Sequence, residues 1–271
     1  MTGENVEIAI PAALDAGYRL FDTATIYRNE EFVGETLRKE MARRGIARSS
    51  VFITSKLQTK DQGYEAATTA VNTSLAKLRV DYIDLYLIHW PGASGLDPSD
   101  PLNKELRIGS WRALEEALAV GKLRSIGVSN YMLKHLEEME TYANIMPMVN
   151  QIELHPAYYP EDVVGYCQSK QIVIQAYSSL GRGKLLEDSF LNEHPQVAKI
   201  SEQHRVTISQ VYLRWALQHG WGILPKSNSP HRIKENANIL HFKLSDKEMH
   251  YLDSIHIKET QKICWDPVTV M

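Results

Sequence analysis

The sequence predicts an α/β fold built on a parallel sheet, and three observations predict it. Seven short apolar runs alternate with helical patterns along the chain, and strands that alternate with helices pair in parallel. The runs lead into polar side chains: Arg19-Leu20-Phe21 into Asp22, Val51–Ser55 into Lys56, Ile83–Ile88 into His89, Ser125–Val128 into Ser129-Asn130, Met148–Asn150 into Gln151 and then Glu153, Val173–Ala176 into Tyr177, and Gly222–Pro225 into Lys226-Ser227. Reactive side chains at the carboxyl ends of strands are the arrangement of α/β barrels. The length of 271 residues suits one such barrel, about 250 residues in size. No Pro/Gly/Ser-rich linker breaks the rhythm, so a single domain over residues 1–271 is expected.

A first helix is expected from a Thr2 cap to about Ala16, with Val6, Ile10, Ala13 and Leu14 inward and Gly17 as its stop. The second covers Asn29–Arg43, with Phe32, Val33, Thr36 and Leu37 as its apolar stripe, and the third Gly63–Leu78, with Ala66, Ala70, Val71, Leu75 and Leu78 inward. Pro91 stops the third strand, and a long loop to about Ile108 follows; loops of that length are often functional. Further helices are read over Ser110–Val120, closed by Gly121, and over Met132–Tyr142, Glu161–Lys170 and Thr207–Gln218, the last with Ile208, Val211, Tyr212 and Trp215 inward. Ser245-Asp246-Lys247-Glu248 is a capping box for a last helix to Ile255, and Lys258–Met271 has no period and reads as a loop.

Composition removes several classes of function. With 30 basic and 33 acidic residues the net charge is −3, and no basic cluster offers a phosphate-backbone surface, so no nucleic-acid partner is expected. No apolar run approaches the roughly 20 residues that span a bilayer, and no basic segment followed by an apolar one opens the chain as a signal peptide. Two cysteines, Cys167 and Cys264, make neither a disulfide framework nor a zinc cluster, and they suit a reducing cytosol; a cytoplasmic protein without metal or obligate protein partner is expected. No GxGxxG follows a strand, which removes the main Rossmann fingerprint, and Gly181-Arg182-Gly183-Lys184 lacks the spacing and the Ser/Thr of a P-loop.

The remaining polar residues suggest a site that polarises a carbonyl group. Asp22 closes one strand, Tyr27 follows five residues later, and Lys56 and His89 close the next two strands. A phenol titrates near pH ~10, too high for easy proton donation at neutrality. A nearby ammonium favours the phenolate, a carboxylate holds that ammonium charged, and an imidazole can orient a carbonyl oxygen beside the phenol. This is acid and electrostatic chemistry, with no nucleophile. Taken singly, Asp22 reads as well as a helix cap, Lys56 as a solvated cation and His89 as a core histidine; the combination carries the argument.

These segments resemble the aldo-keto reductase family. Gly17-Tyr18-Arg19-Leu20-Phe21-Asp22-Thr23-Ala24, with Tyr27, Asn29-Glu30 and Gly34, is similar to the family's first signature. Leu85–Pro91, Gly121–Asn130, Asn150–Pro156 and Ile223–Ser227 follow in family order, then Arg232-Ile233 and Glu235-Asn236. The resemblance implies a (β/α)8-type TIM barrel, with Asp22, Tyr27, Lys56 and His89 as catalytic tetrad and Tyr27 as the acid. It implies Tyr177 stacked on a nicotinamide, with Ser129, Asn130 and Gln151 on its carboxamide and Thr23 among the cofactor residues. Ser178 and Leu180 fall where the family holds the pyrophosphate, Lys226, Ser227 and Arg232 where it holds the 2′-phosphate, and Glu235 and Asn236 at the adenine. Cations opposite a 2′-phosphate select NADPH (NADP+), since a bare ribose would favour an acidic partner. Ile26 and Trp90 are expected to wall the pocket of a small carbonyl substrate; His155 is read as structural and Glu153 stays unassigned. The chain departs from the family at its start: only Met1-Thr2-Gly3 precede the first helix, so the N-terminal hairpin and first barrel strand are missing, seven strands are expected, and Arg19–Asp22 and Gly222–Lys226 become edges. The expected function is NADPH-dependent reduction of aldehydes or ketones, with the missing strand expected to weaken it; the alternative is a cofactor-binding regulatory or catalytically impaired member of the same fold.

Overall fold

In a computed structural model of the protein, residues 3–258 and 260–271 are described. The expected cap Thr2 lies outside them. The strands are β1 (Leu20–Asp22), β2 (Phe52–Leu57), β3 (Leu85–Ile88), β4 (Ile126–Ser129), β5 (Val149–Glu153), β6 (Val173–Tyr177) and β7 (Gly222–Ile223). They lie in one sheet in chain order, β1 to β7, so β1 and β7 end the order, as the seven-run reading expects. The chain forms two compact units, residues up to Asn150 with Pro267–Met271, and Gln151–Asp266.

In the first unit α1 (Gly3–Asp15), α2 (Glu30–Arg44), α3 (Tyr64–Leu78), α4 (Leu102–Ala119) and α5 (Leu133–Met139) alternate with the strands. Pairing is parallel: Leu20 lies opposite Phe52, Thr54 opposite Leu85, and Tyr86 opposite Ile126. This register puts Asp22 beside Thr54 and Lys56 beside Leu87, which brings the reactive strand ends to one level. Leu85, Leu87 and Val149 form an apolar cluster that Phe52 partly covers. Helix α1 buries Val6, Ala9, Ile10 and Leu14, close to the expected face.

Some expectations need correction. Phe32 is exposed, and α3 buries Ala67 rather than Ala66. Helix α4 begins at Leu102, well before Ser110, because the Asp100 carboxylate accepts the Leu102 amide at 2.9 Å. Its first half is polar and carries no apolar stripe, since Arg107 is fully buried by bonding rather than by greasy contact: it donates to Pro91 O at 3.0 Å and to both Glu138 oxygens at 2.9 and 3.2 Å.

The second unit holds α6 (Glu161–Ser169), α7 (Asp188–Glu193), α8 (Pro195–His204), α9 (Ile208–Gln218), α10 (Pro230–Ala237) and α11 (Asp246–Lys258). Helices α7 and α8 occupy a stretch for which the sequence reading assigned no element. Helix α9 is capped reciprocally by Thr207 and Gln210 and buries Val211, Tyr212 and Trp215. The Ser245–Glu248 box caps α11 as expected, with Ser245 N donating to Glu248 Oε2 at 2.7 Å. Among the described residues no helix is long and apolar enough to cross a membrane.

Candidate active site

The first unit brings together the four residues singled out for chemistry. Asp22 is the last residue of β1, Lys56 lies at the end of β2, His89 directly follows β3, and Tyr27 closes a 3-10 turn, Thr25–Tyr27, after β1. The Lys56 ammonium is buried; it donates to the Asp22 carboxylate and to Thr23 O, the latter at 3.0 Å. Its Nζ stands 5.5 Å from the centre of the Tyr27 ring. Tyr27 and His89 meet edge to face at 5.8 Å between ring centres, and His89 in turn stacks with Trp90 at 6.2 Å. Tyr27 is 47% exposed and Ile26 beside it 51%, whereas His89 is 8% exposed, so the phenol faces outward from a buried polar floor.

Burial sets the charges of that floor. It pushes the Lys56 ammonium below its ordinary range, while the charge of Asp22 and its hydrogen bond push back. It lowers His89 to about 3, with the charge of Lys56 acting the same way, so the imidazole is neutral at every pH near neutrality. Its Nδ1 is buried without a hydrogen-bond partner. The cluster therefore combines one buried ammonium, one neutral imidazole and one outward phenol.

Asn29, Glu30 and Ser55, which sequence reasoning left without a role, help to fix the turn that carries Tyr27. Thr23 Oγ1 donates to Asn29 Oδ1 at 2.6 Å, and Ser55 Oγ donates to Glu30 Oε1 at 2.6 Å, all four groups being buried. An acid at the start of a helix was the available signal, since it is favoured there by the helix dipole. Asn130, which follows β4, has a left-handed backbone with φ of 62° and donates to His89 O at 2.9 Å and to Ser129 Oγ at 3.0 Å. Non-glycine residues in that region are uncommon and cluster at functional sites.

Within the second unit Gln151 donates to Gln175 Oε1 at 3.1 Å, and Tyr177 ends β6. Ser178, next to it, has a left-handed φ of 51°, and Leu180 follows one residue later. Lys226, Ser227, Arg232, Glu235 and Asn236 fall on the loop before α10 and on α10 itself, whose N-terminus is capped by Ser229. Lys226 and Arg232 are exposed and, among the described residues, neither makes an ion pair with a carboxylate. Two such cations at a helix N-terminus suit a phosphate group. Glu235 accepts from Thr207 Oγ1 at 3.0 Å, and Asn236 is buried. No group of His, Cys, Asp and Glu among the described residues is placed to hold a metal ion.

Residues 1–257 match the profile of the Aldo/keto reductase family. The chain is 43% identical over 257 residues to a glyoxal reductase of Bacillus subtilis, covering 95% of this chain and 86% of the relative. Its fold matches the crystal structure of an aldo/keto reductase from Brucella melitensis with a TM-score of 0.84 at 40% identity, over 94% of this chain and 90% of the other. It also matches an aldo-keto reductase of Bombyx mori solved in complex with NADP, with a TM-score of 0.85 at 30% identity, over 97% and 86% of the two chains. These likenesses place the parallel sheet and its helices in the (β/α) barrel type. On the match of nearly its whole length, the chain belongs to the aldo/keto reductase family.

Proposed function

We propose that the protein reduces a small aldehyde or ketone to the alcohol with NADPH. One observation carries the reading: a buried ammonium, Lys56, held by Asp22 and set against the ring of an outward phenol, Tyr27, with the neutral His89 at that ring's edge. NADPH, when bound, supplies the hydride. Tyr27 gives its hydroxyl proton to the carbonyl oxygen, and the nearby Lys56 charge favours the phenolate that is left. His89 stays neutral, so it serves as a hydrogen-bonding guide for the oxygen and not as the acid. Asp22 keeps Lys56 charged against the pull of burial. Ile26 and Trp90, on either flank of the cluster, wall the substrate pocket.

For the cofactor, Thr23, Ser129, Asn130 and Gln151 are proposed at the nicotinamide end with Tyr177 stacked on the ring, and Ser178 and Leu180 at the pyrophosphate. Lys226, Ser227 and Arg232 are proposed for the 2′-phosphate, and Glu235 and Asn236 for the adenine. The exposed cations at the start of α10 and the NADP complex of the Bombyx mori relative support this choice. The name of the Bacillus subtilis relative makes glyoxal the first substrate to try. The test is an NADPH titration by tryptophan fluorescence, followed by NADPH consumption with a panel of aldehydes. Binding with consumption supports the reading; binding without consumption favours a regulatory member of the fold; no binding contradicts it.

A further inference from the structure

Glu153 is a fully buried carboxylate that the proposed chemistry does not use. It lies at the end of β5, and among the described residues its oxygens accept hydrogen bonds from four donors. His155 Nε2 and the Ile263 amide reach Oε1 at 3.1 and 2.7 Å, and the Cys264 amide and Lys262 Nζ reach Oε2 at 2.9 and 3.4 Å. Burial alone would raise its pKa, but these donors and the Lys262 charge outweigh that and hold it at about 2. The carboxylate is therefore ionised at any working pH. Three of its four donors come from one short segment, residues 262–264, far away in sequence. That segment is also fixed by Gln261, whose amide donates to Ala157 O at 2.8 Å, and by Lys262 Nζ over the Tyr158 ring at 4.2 Å.

The latched segment also touches the stretch that follows β6. The Cys264 thiol lies 3.8 Å from Ser178 Oγ and beside the Tyr177 side chain. Ile263 lies against Gly181, where an added Cβ would come within 3.1 Å of Ile263 Cδ1 and 1.8 Å of Leu185 Cδ1. Gly181 has a φ of 57°, so the chain there turns tightly under Ile263 with no room for a side chain. Residues 263–264 thus lie against Tyr177, Ser178 and Gly181, and their backbone amides are held by a single buried charge.

We propose that Glu153 is a positioning residue, a latch that holds residues 262–264 against the Tyr177–Gly181 segment and thereby retains the nicotinamide nucleotide stacked on Tyr177. This rests on the proposed function. An amide in place of the carboxylate keeps the size of the side chain but turns one acceptor into a donor, which then faces the Cys264 amide or the Ile263 amide donor to donor. The segment opens more often, and the nucleotide leaves faster. The chemical step, which depends on Tyr27 and Lys56, is left in place.

The test compares the unsubstituted protein with Glu153→Gln, Lys262→Met and, as control, Glu161→Gln, an exposed carboxylate that pairs with His256. Two readouts are taken. The first needs no cofactor: amide hydrogen exchange at Ile263 and Cys264, with the alkylation rate of the Cys264 thiol by iodoacetamide. The second is the NADPH dissociation rate from stopped-flow tryptophan fluorescence, with the KM for NADPH and kcat in steady state. In Glu153→Gln, exchange and NADPH dissociation should both rise on the order of tenfold or more, the scale of a lost hydrogen bond to a charged group, with KM raised and kcat per bound enzyme little changed. Lys262→Met, which leaves the carboxylate and both backbone donors in place, should show a smaller rise of the same sign, and it decides by the same criterion if Glu153→Gln does not fold. Glu161→Gln should move neither readout. Faster exchange with unchanged NADPH dissociation overturns the latch, as does unchanged exchange. Failure of the unsubstituted protein to bind NADPH overturns instead the function on which the latch rests, and is recognised because the exchange readout does not require the cofactor.

Discussion

Asp22 does two things at once, and a single substitution separates them from mere proximity. Lys56 is wholly buried, and its main ionic partner is the Asp22 carboxylate. Breaking one side of a buried pair costs about 3–5 kcal/mol, because the remaining charge has lost its compensation. Asp22→Asn should therefore lower the melting temperature clearly and, by letting burial neutralise Lys56, also reduce turnover at neutral pH. A thermal melt unchanged within error would mean the pair contributes nothing to stability. At the other end of the proposed cofactor, Arg232→Ala removes an exposed cation and should leave the melt alone. A charge-assisted hydrogen bond contributes about 1.5–3 kcal/mol, so NADPH should bind on the order of 10–100-fold more weakly and NADH hardly less well. Equal losses for the two cofactors would remove Arg232 from the 2′-phosphate. That Asp22, Lys56 and His89 come together was legible in the sequence, because they are chemically reactive types at the ends of successive parallel strands, with Tyr27 one short turn beyond the first. Glu153 and Arg107 were not, because their meaning lies in bonds to backbone groups that are near them only after folding.

At the scale of elements, α2 and α3 approach so closely that glycine is required. A Cβ on Gly34 would lie 2.2 Å from Leu78 O and 2.6 Å from Leu78 Cα, which is backbone and cannot swing aside. Gly165 in α6 has nothing within 4 Å of the same position. Helix propensity alone predicts that alanine stabilises both. The packing predicts opposite signs: Gly34→Ala loses about 1–3 kcal/mol by overpacking, and Gly165→Ala gains about 0.5–1 kcal/mol. Melting temperatures that move in the same direction for both would show that this close approach is not rigid. Helices with an apolar stripe, such as α1 and α9, were readable from the sequence. The first half of α4 was not, since Arg107 is buried there through Glu138 and carbonyl oxygens, and hydrophobic periodicity carries no signal for burial of that kind.

Across the whole molecule, buried titratable groups predict a stability that falls in acid. His89 is lowered to about 3 and His135 to about 4, both chiefly by burial, against an ordinary value near ~6.5. Below that ordinary value the unfolded chain binds protons that the folded chain refuses, so stability present above pH ~6.5 is lost progressively as the pH falls. Glu153, held at about 2, acts in the same direction at lower pH, below its ordinary range near ~4.3. The melting temperature should therefore fall steadily from pH ~7 to pH ~4. His135→Gln, whose ring accepts from Met132 N and bonds Val270 O, should show a shallower fall alongside a lower starting value. A melt that is flat over this range would contradict the buried, neutral state of both rings. The order and parallel sense of the strands were legible as alternation, whereas the burial of His135 against Met132 and Val270 was not, because it depends on contacts made only after folding.

The proposed reduction depends most on Tyr27 as the proton donor. The direct measurement is glyoxal-dependent NADPH consumption by the protein and by Tyr27→Phe, with NADPH binding followed in parallel by tryptophan fluorescence. The ring stays and only the hydroxyl is lost. General acid catalysis contributes roughly 10²–10⁴-fold, so turnover should fall by that factor while NADPH binds as before. If Tyr27→Phe binds NADPH and keeps more than about half of the activity, far less than a general acid's share is lost, and Tyr27 is not the acid.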